Sequence, residues 1–202
     1  MKKFIMTSPY QQPEKLKKSV YTAADNSRLQ YNKPISFPLL AAINGYAEQG
    51  ESIEVIVIRS AYENSIKNYE SFKEELEGLC KEKGILLSAI KPIDVPYNDL
   101  LDTQLDIFSK LIEQTDNDDT IYCCMTYGTK AIPMVQMMAL NYAYKIHKNV
   151  SIGCIVYGAV DFNTGNTSIY DITSLFYMNE IIDRLSKQKL SDPAAMIKQL
   201  LG

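Results

Sequence analysis

The sequence of 202 residues predicts an α/β fold: a Rossmann-like, mostly parallel sheet flanked by helices, with an antiparallel hairpin near its carboxyl end. Three observations predict it. Short apolar runs alternate with longer segments of helical period. Those runs are nearly continuous, as in strands buried on both faces. The last long run leads into Asp161, Phe162, Asn163, Thr164, Gly165 and Asn166, a dense turn signal that sends the chain back beside itself.

Residues 2–7 read as the first strand, ended by Ser8 and Pro9 before Tyr10. In an open parallel sheet this is the carboxyl edge, where ligands collect. Residues 11–33 are polar, with Lys15, Lys17, Lys18 and Arg28 beside Tyr21 and Tyr31. They read as a mobile surface loop, or as a flap whose tyrosines stack on bases. A helix over residues 35–49 stops at Gly50. Residues 52–58 are a β-branched strand that carries Arg59, Ser60, Ala61, Tyr62, Glu63 and Asn64 to the same edge. Residues 64–83 are amphipathic, with Ile66, Tyr69, Phe72, Leu76 and Leu79 on one face, and Gly84 ends them. Residues 85–90 are the third strand, Pro92 and Pro96 mark a loop, and residues 98–114 form a helix.

An acidic turn then opens the central strand, residues 120–125. The helix after it starts at Ala131, and up to residue 144 only Gln136 and Asn141 are strongly polar. Such a helix needs cover on two sides, from the sheet and from another helix or a second subunit. Met134, Met137 and Met138 read as core or dimer interface. Residues 150–160 form the next strand, and residues 167–172 pair back as an antiparallel edge. Thr173 or Ser174 caps a helix to about residue 187. Ser191, Asp192 and Pro193 open a last short helix.

Thr126, Tyr127, Gly128, Thr129 and Lys130 link the central strand to its helix. The glycine lets backbone approach a ligand closely. Thr129 is placed to cap the helix, and Pro133 falls in its first turn, where a missing N–H costs little. Free N–H groups at a helix start, with Lys130 beside them, suit an anion. The same residues also describe an ordinary strand-to-helix turn. Neither a P-loop spacing nor G-x-G-x-x-G is present, which counts against a dinucleotide site. The strand ends together offer Ser8, Pro9, Tyr10, Arg59, Ser60, Tyr62, Asn64, the five linker residues, Tyr157 and Gly158. These hydroxyls, N–H groups, cations and aromatics suit a phosphate–sugar–base ligand. No carboxylate cluster or histidine pair converges there, so neither a metal nor another cofactor is expected.

The charge is 21 basic against 24 acidic residues, a net of −3. A protein that grips duplex DNA is normally basic, so a nucleic-acid ligand here would be small and held in a local pocket. Cys80, Cys123, Cys124 and Cys154 contain no C-x-x-C and read as buried free thiols of a reducing, cytoplasmic setting. The one histidine, His147, reads as a surface residue at a helix end. No long apolar run suggests a signal peptide or a membrane span.

The linker, the helix through Asn141 and Tyr142, the run Ile155, Val156, Tyr157, Gly158, Ala159, Val160 and Asp161, and then Asp171, Ile172, Thr173, Ser174 and Leu175 resemble the CARF (CRISPR-associated Rossmann fold) family. Order and spacing match from the first strand to about residue 185. The family motif usually reads Asp-Ile-Thr-His-Gly-Thr-Lys. Here Cys124 stands at the aspartate and Tyr127 at the histidine, while the Thr-x-Gly-Thr-Lys loop is intact. The resemblance implies a sensor of cyclic oligoadenylate in type III CRISPR antiviral defence. It implies a homodimer, or a higher assembly of dimers, with the ring across the two-fold axis. Cyclic tetra-adenylate comes first and hexa-adenylate second, both rings having two-fold symmetry. Residues 1–190 would be the sensing domain. Residues 191–202 would be a terminal helix leading to an effector absent from these residues, or the output would lie in a partner. The alternative is a stand-alone, metal-independent ring nuclease, with Lys130, Ser8 and Thr126 as catalytic candidates. A small nucleotide-using enzyme on the same fold is a third class.

Overall fold

The computed structural model describes residues 1–161, 163–188 and 192–201. Its strands are β1 (Lys2–Thr7), β2 (Thr22–Ala23), β3 (Ser52–Ser60), β4 (Leu86–Val95), β5 (Thr120–Cys124), β6 (Ser151–Val160) and β7 (Thr167–Asp171). They form one sheet in the order β2-β7-β6-β5-β1-β3-β4. Every neighbouring pair is parallel except β6 and β7. Six α-helices flank it among the described residues: α1 (Leu39–Tyr46), α2 (Glu63–Lys83), α3 (Leu101–Ile112), α4 (Ala131–Ile146), α5 (Thr173–Ser186) and α6 (Pro193–Leu201). None is long and apolar enough to cross a membrane.

Successive strand side chains point to opposite faces, and both faces are covered. Phe4, Met6, Val55, Val57 and Cys124 meet α1 and α2 through Leu40, Ile43, Phe72 and Leu76. Ile5, Ile56, Ile58, Ile121 and Cys123 meet α3, α4 and α5 through Ile107, Leu111, Val135, Leu140 and Phe176. This double burial is why the strands read as unbroken apolar runs. From β1 the chain steps outward to β3 and β4, then returns to place β5 on the other side of β1. The carboxyl ends of β1 and β5 therefore flank the point where strand order reverses, which is where open α/β sheets form a ligand crevice.

Five expectations are corrected. Residues 11–33 are packed rather than loose. Tyr21 and Leu29 are buried, Ser19 and Ile35 exchange two backbone hydrogen bonds, and β2 pairs with Ser168 and Ile169. Consequently β7 is not an edge; β2 lies outside it. The first helix is shorter than residues 35–49: Ile35 is held in a backbone bridge with Ser19, and Pro38 disfavours helical backbone at Phe37 before it. The third strand runs on to Val95, through Pro92. Its β4 position at the sheet edge leaves room for a residue with no N–H to give. Finally, neither Thr173 nor Ser174 caps α5. The Thr173 hydroxyl accepts from Ile155 N at 2.8 Å and donates to Asp171.

Other readings hold. Gly84 ends α2 in the left-handed region at φ 66°. All four cysteines are free and buried. His147 is the residue after α4, its N–H donating to Ala143 O. Asp192 accepts from Ala195 N at 2.9 Å at the start of α6, while Ser191, like Phe162, lies outside the described residues. α4 packs on the sheet and, beside it, on α3. Met137 is partly buried, but Met134 and Met138 are 69% and 57% exposed.

Candidate ligand-binding site

The linker from Thr126 to Lys130 sits at the carboxyl end of β5, beside the end of β1. Gly128 is exposed, at φ 105°, backbone that side chains rarely adopt. A Cβ there would come within 3.2 Å of Thr7 Cγ2 and Ile132 Cδ1, so the loop is pulled close onto β1 and α4. Thr129 does not cap α4. Its hydroxyl donates to Asp99 Oδ1 at 2.6 Å, and the cap position is Lys130, with no side chain on the helix N–H groups. Lys130 itself is exposed and has no ion pair among the described residues. The loop thus presents a glycine backbone, an uncapped helix start and an unpaired cation together.

Thr126 ties this loop to β6. Its hydroxyl accepts from Gly158 N at 2.8 Å and is hydrogen-bonded to Cys124 Sγ at 3.2 Å. Gly158 lies beyond the last β5 partner of β6, and a Cβ there would collide with Pro38. The β6–β7 hairpin therefore rises past the end of β5 and walls one side of the crevice. Tyr157, 43% exposed, stands on it opposite Tyr170. Tyr127 turns the other way. Its hydroxyl donates to Ser36 O at 2.8 Å, its ring meets Phe37 edge-on, and burial pushes its pKa well up. Burial likewise raises the Cys124 thiol, which therefore offers no charge near neutral pH.

The opposite wall is aromatic. Tyr62 and Tyr97 stack with centroids 4.5 Å apart, and Tyr10 stands edge-on to both. The Tyr10 hydroxyl is 2.6 Å from Ser60 Oγ, and Asn64 Nδ2 donates to Tyr10 O at 3.2 Å. Burial raises the Tyr10 pKa, with Asp99 and Tyr97 adding to the rise against the opposing Ser60 hydrogen bond. A cavity of about 250 Å³ lies between this cluster and the linker, lined by Tyr10, Tyr97, Asn98, Asp99 and Thr129. The sequence reading did not single out Tyr97, Asn98 or Asp99. They fall where the Pro96 loop meets the helix read over residues 98–114, which begins only at Leu101 and so leaves all three in the loop; the one available signal was a tyrosine next to two capping residues.

Three expected site residues serve the framework instead. Ser8 is fully buried, its hydroxyl donating to Ser65 O at 2.6 Å. Pro9 is buried, its carbonyl accepting from Asn68. Arg59 makes a two-pronged pair with Asp94, at 2.6 and 2.8 Å, and lies over the Tyr69 ring. That pair holds the Asp94 carboxyl below, and the Arg59 guanidinium above, their ordinary ranges. A larger concavity, about 610 Å³, opens between residues 13–40 and α2. It is lined by Glu74, Glu75 and Glu82, and its Lys18 and Lys33 are paired with two of them, so it is the poorer place for a phosphate.

No protein-family model matches the chain. The chain is similar to CRISPR-associated protein MJ1674 of Methanocaldococcus jannaschii. Identity is 23% over 170 residues, an overlap that covers 76% of this chain and 27% of that protein. The chain therefore spans about a quarter of that relative's length.

Chemically, the crevice can hold an anion at Gly128 and Lys130 and a flat ring against the tyrosines. Among the described residues no histidine stands on its walls, and the carboxylate that lines the cavity is Asp99. His147 sits at the far end of α4, its Nε2 3.1 Å from Thr115 Oγ1. Asp99 spends one carboxylate oxygen on Thr129.

Proposed function

We propose that this chain is a CARF-like sensor in CRISPR-associated antiviral signalling, and that it binds a cyclic oligoadenylate across a homodimer to regulate an effector domain or partner. Cyclic tetra-adenylate is the first choice of ring and hexa-adenylate the second. The observation that carries the reading is the Gly128–Lys130 turn: exposed backbone, an uncapped helix start and an unpaired lysine at the strand-order reversal. Helix starts of this kind attract phosphates. Aromatic walls on the same crevice suit bases. The printed name of the similar archaeal protein supports the CRISPR setting. Exposed apolar side chains on neighbouring helices, Leu101 and Leu105 on α3 and Met134 and Met138 on α4, support the dimer.

Binding without cleavage is favoured over a ring nuclease. In-line attack by a ribose 2′-hydroxyl needs groups that orient the sugar and stabilise charge. Of the three candidates, Ser8 and Thr126 already have hydrogen-bond partners inside the fold, and only Lys130 faces out unpaired among the described residues. The test is a thermal melt with each ring. Ligand at a hundredfold its Kd stabilises by about 2.7 kcal/mol, which for a chain of this size is a rise of roughly 5–10 °C. Lys130→Ala should melt within a degree or two of the parent without ligand and lose most of the ligand shift. No shift with any ring size overturns the reading.

A further inference from the structure

We infer that the groove between residues 13–40 and α2 binds an aliphatic polyamine, a triamine before a diamine. This site is separate from the proposed ring site and does not rest on it. Two observations carry it. The first is an orphaned acceptor. Asn68 lines the groove and is fully buried. Its Nδ2 donates to Pro9 O and Gln11 O, both at 2.9 Å and both outside the groove, while its Oδ1 has no hydrogen-bond partner. The amide is thus fixed with its donor end committed elsewhere, and its acceptor end is left for the groove. An oxygen buried without a donor is costly, and a ligand N–H that meets it relieves that cost. The oxygen is covered in the free chain, so a ligand reaches it by displacing part of the 13–40 wall.

The second observation is surplus negative charge. The groove sets Glu74, Glu75 and Glu82 against two lysines, Lys18 and Lys33. The Glu75 side chain is 12% exposed, its Oε2 accepts from Ser36 N at 3.1 Å, and among the described residues its one ion pair is with Lys18 Nζ at 3.4 Å. Lys18 is 60% exposed, and a pair so long and so wet contributes little and exchanges readily. Glu74, beside it, has no ion pair among the described residues. Spacing then sets the ligand. Asn68 and Glu75 lie seven residues apart on α2, two turns along one face and roughly 10 Å along the axis. An extended triamine has its end nitrogens about that far apart. One end donates to Asn68 Oδ1 and to Ser71 Oγ, whose own hydrogen goes to Lys67 O. The other end meets the Glu74 and Glu75 carboxylates, and the methylenes lie against Leu16 and Leu40. A metal ion is the poorer occupant, because these acceptors are strung along a helix rather than gathered around one point.

The experiment is calorimetry on the full chain at fixed ionic strength, with spermidine, putrescine and tri-lysine as probes. Spermidine should bind, and more tightly than putrescine. Glu75→Gln keeps an oxygen for Ser36 N but removes the charge, and should weaken spermidine about tenfold or more. Glu77→Gln makes the same charge change on α2 outside the groove and should leave binding nearly as it was. Lys18→Gln should tighten spermidine by freeing Glu75, whereas Lys17→Gln, equal in charge but outside the groove, should not. No spermidine binding overturns the site. Equal weakening by Glu75→Gln and Glu77→Gln also overturns it, because only a general attraction to an acidic chain would then remain. Tri-lysine binding as tightly as spermidine, with the same loss in Glu75→Gln, overturns the polyamine and gives the groove to a lysine-rich peptide.

Discussion

Charge burial at the edge opposite the site gives the clearest single-residue case. Lys3 is 3% exposed, and its Nζ reaches Asp119 at 2.9 Å, Asp116 at 2.9 Å and Gln114 O at 2.7 Å. Burial opposes its charge, but the hydrogen bonds and fields of Asp119 and Asp116 outweigh burial and raise the pKa above 10.5. A lysine raised on folding stabilises fully below its unfolded value, and that stability is lost as pH rises through the folded value. The Asp116 carboxyl, held below 3.8 chiefly by Lys3, works the other way, losing its contribution as pH falls through its folded value. Lys3→Met should cost about 3 kcal/mol or more near neutral pH, because Asp119 is left buried with less compensation. Urea melts should show the gap between parent and variant narrowing above pH 10.5. A gap that is flat with pH would remove the charge argument. None of this was legible in the sequence, where Lys3 is one lysine at the start of a strand and Asp119 one carboxylate of an acidic turn.

At the scale of elements, strands and long helices were legible, because burial on both faces or on one stripe imposes a period. β1, β3, β5, β6 and α2 fall where the apolar runs put them. What failed was whatever depended on a partner distant in sequence. The segment holding Tyr21 and Leu29 reads as polar because few of its residues are anchors, and β2 is only two residues long. Pro92 reads as a breaker until the strand carrying it is known to be an edge. Thr129 reads as a cap until Asp99 is seen to take its hydroxyl. The linker itself was legible as a loop at the central strand, and its geometry makes a prediction. Gly128→Ala places a Cβ at 3.2 Å from both Thr7 Cγ2 and Ile132 Cδ1, at a φ of 105°. The variant should lose about 1–3 kcal/mol. That lowers Tm by several degrees, and the ring-induced shift should shrink because the turn that faces the ligand has moved. A variant melting like the parent would mean the turn tolerates a side chain and is not held as described.

For the whole molecule, the question is what covers α4 on its outer side. The sheet takes Val135, Ala139 and Leu140, and α3 lies alongside, but Met134 and Met138 remain largely open, as do Leu101 and Leu105 on the neighbouring α3. Open apolar groups on two adjacent helices offer a surface for a second copy to bury. A two-fold ligand would then meet two copies of the Gly128–Lys130 turn, since α4 begins at that turn. Sedimentation at micromolar concentration should give a dimer. Met134→Glu combined with Met138→Glu should give a monomer whose own Tm changes little, because exposed substitutions usually stay within about 0.5 kcal/mol. Ile132 would be a poor probe: it is buried against the sheet, so a charge there disrupts the fold itself. The double variant should also lose most of the ring-induced shift, since half of each two-fold site leaves with the partner. A parent protein that sediments as a monomer with and without ring would sink the dimer. A monomeric variant that keeps the full shift would instead confine the ring to one chain.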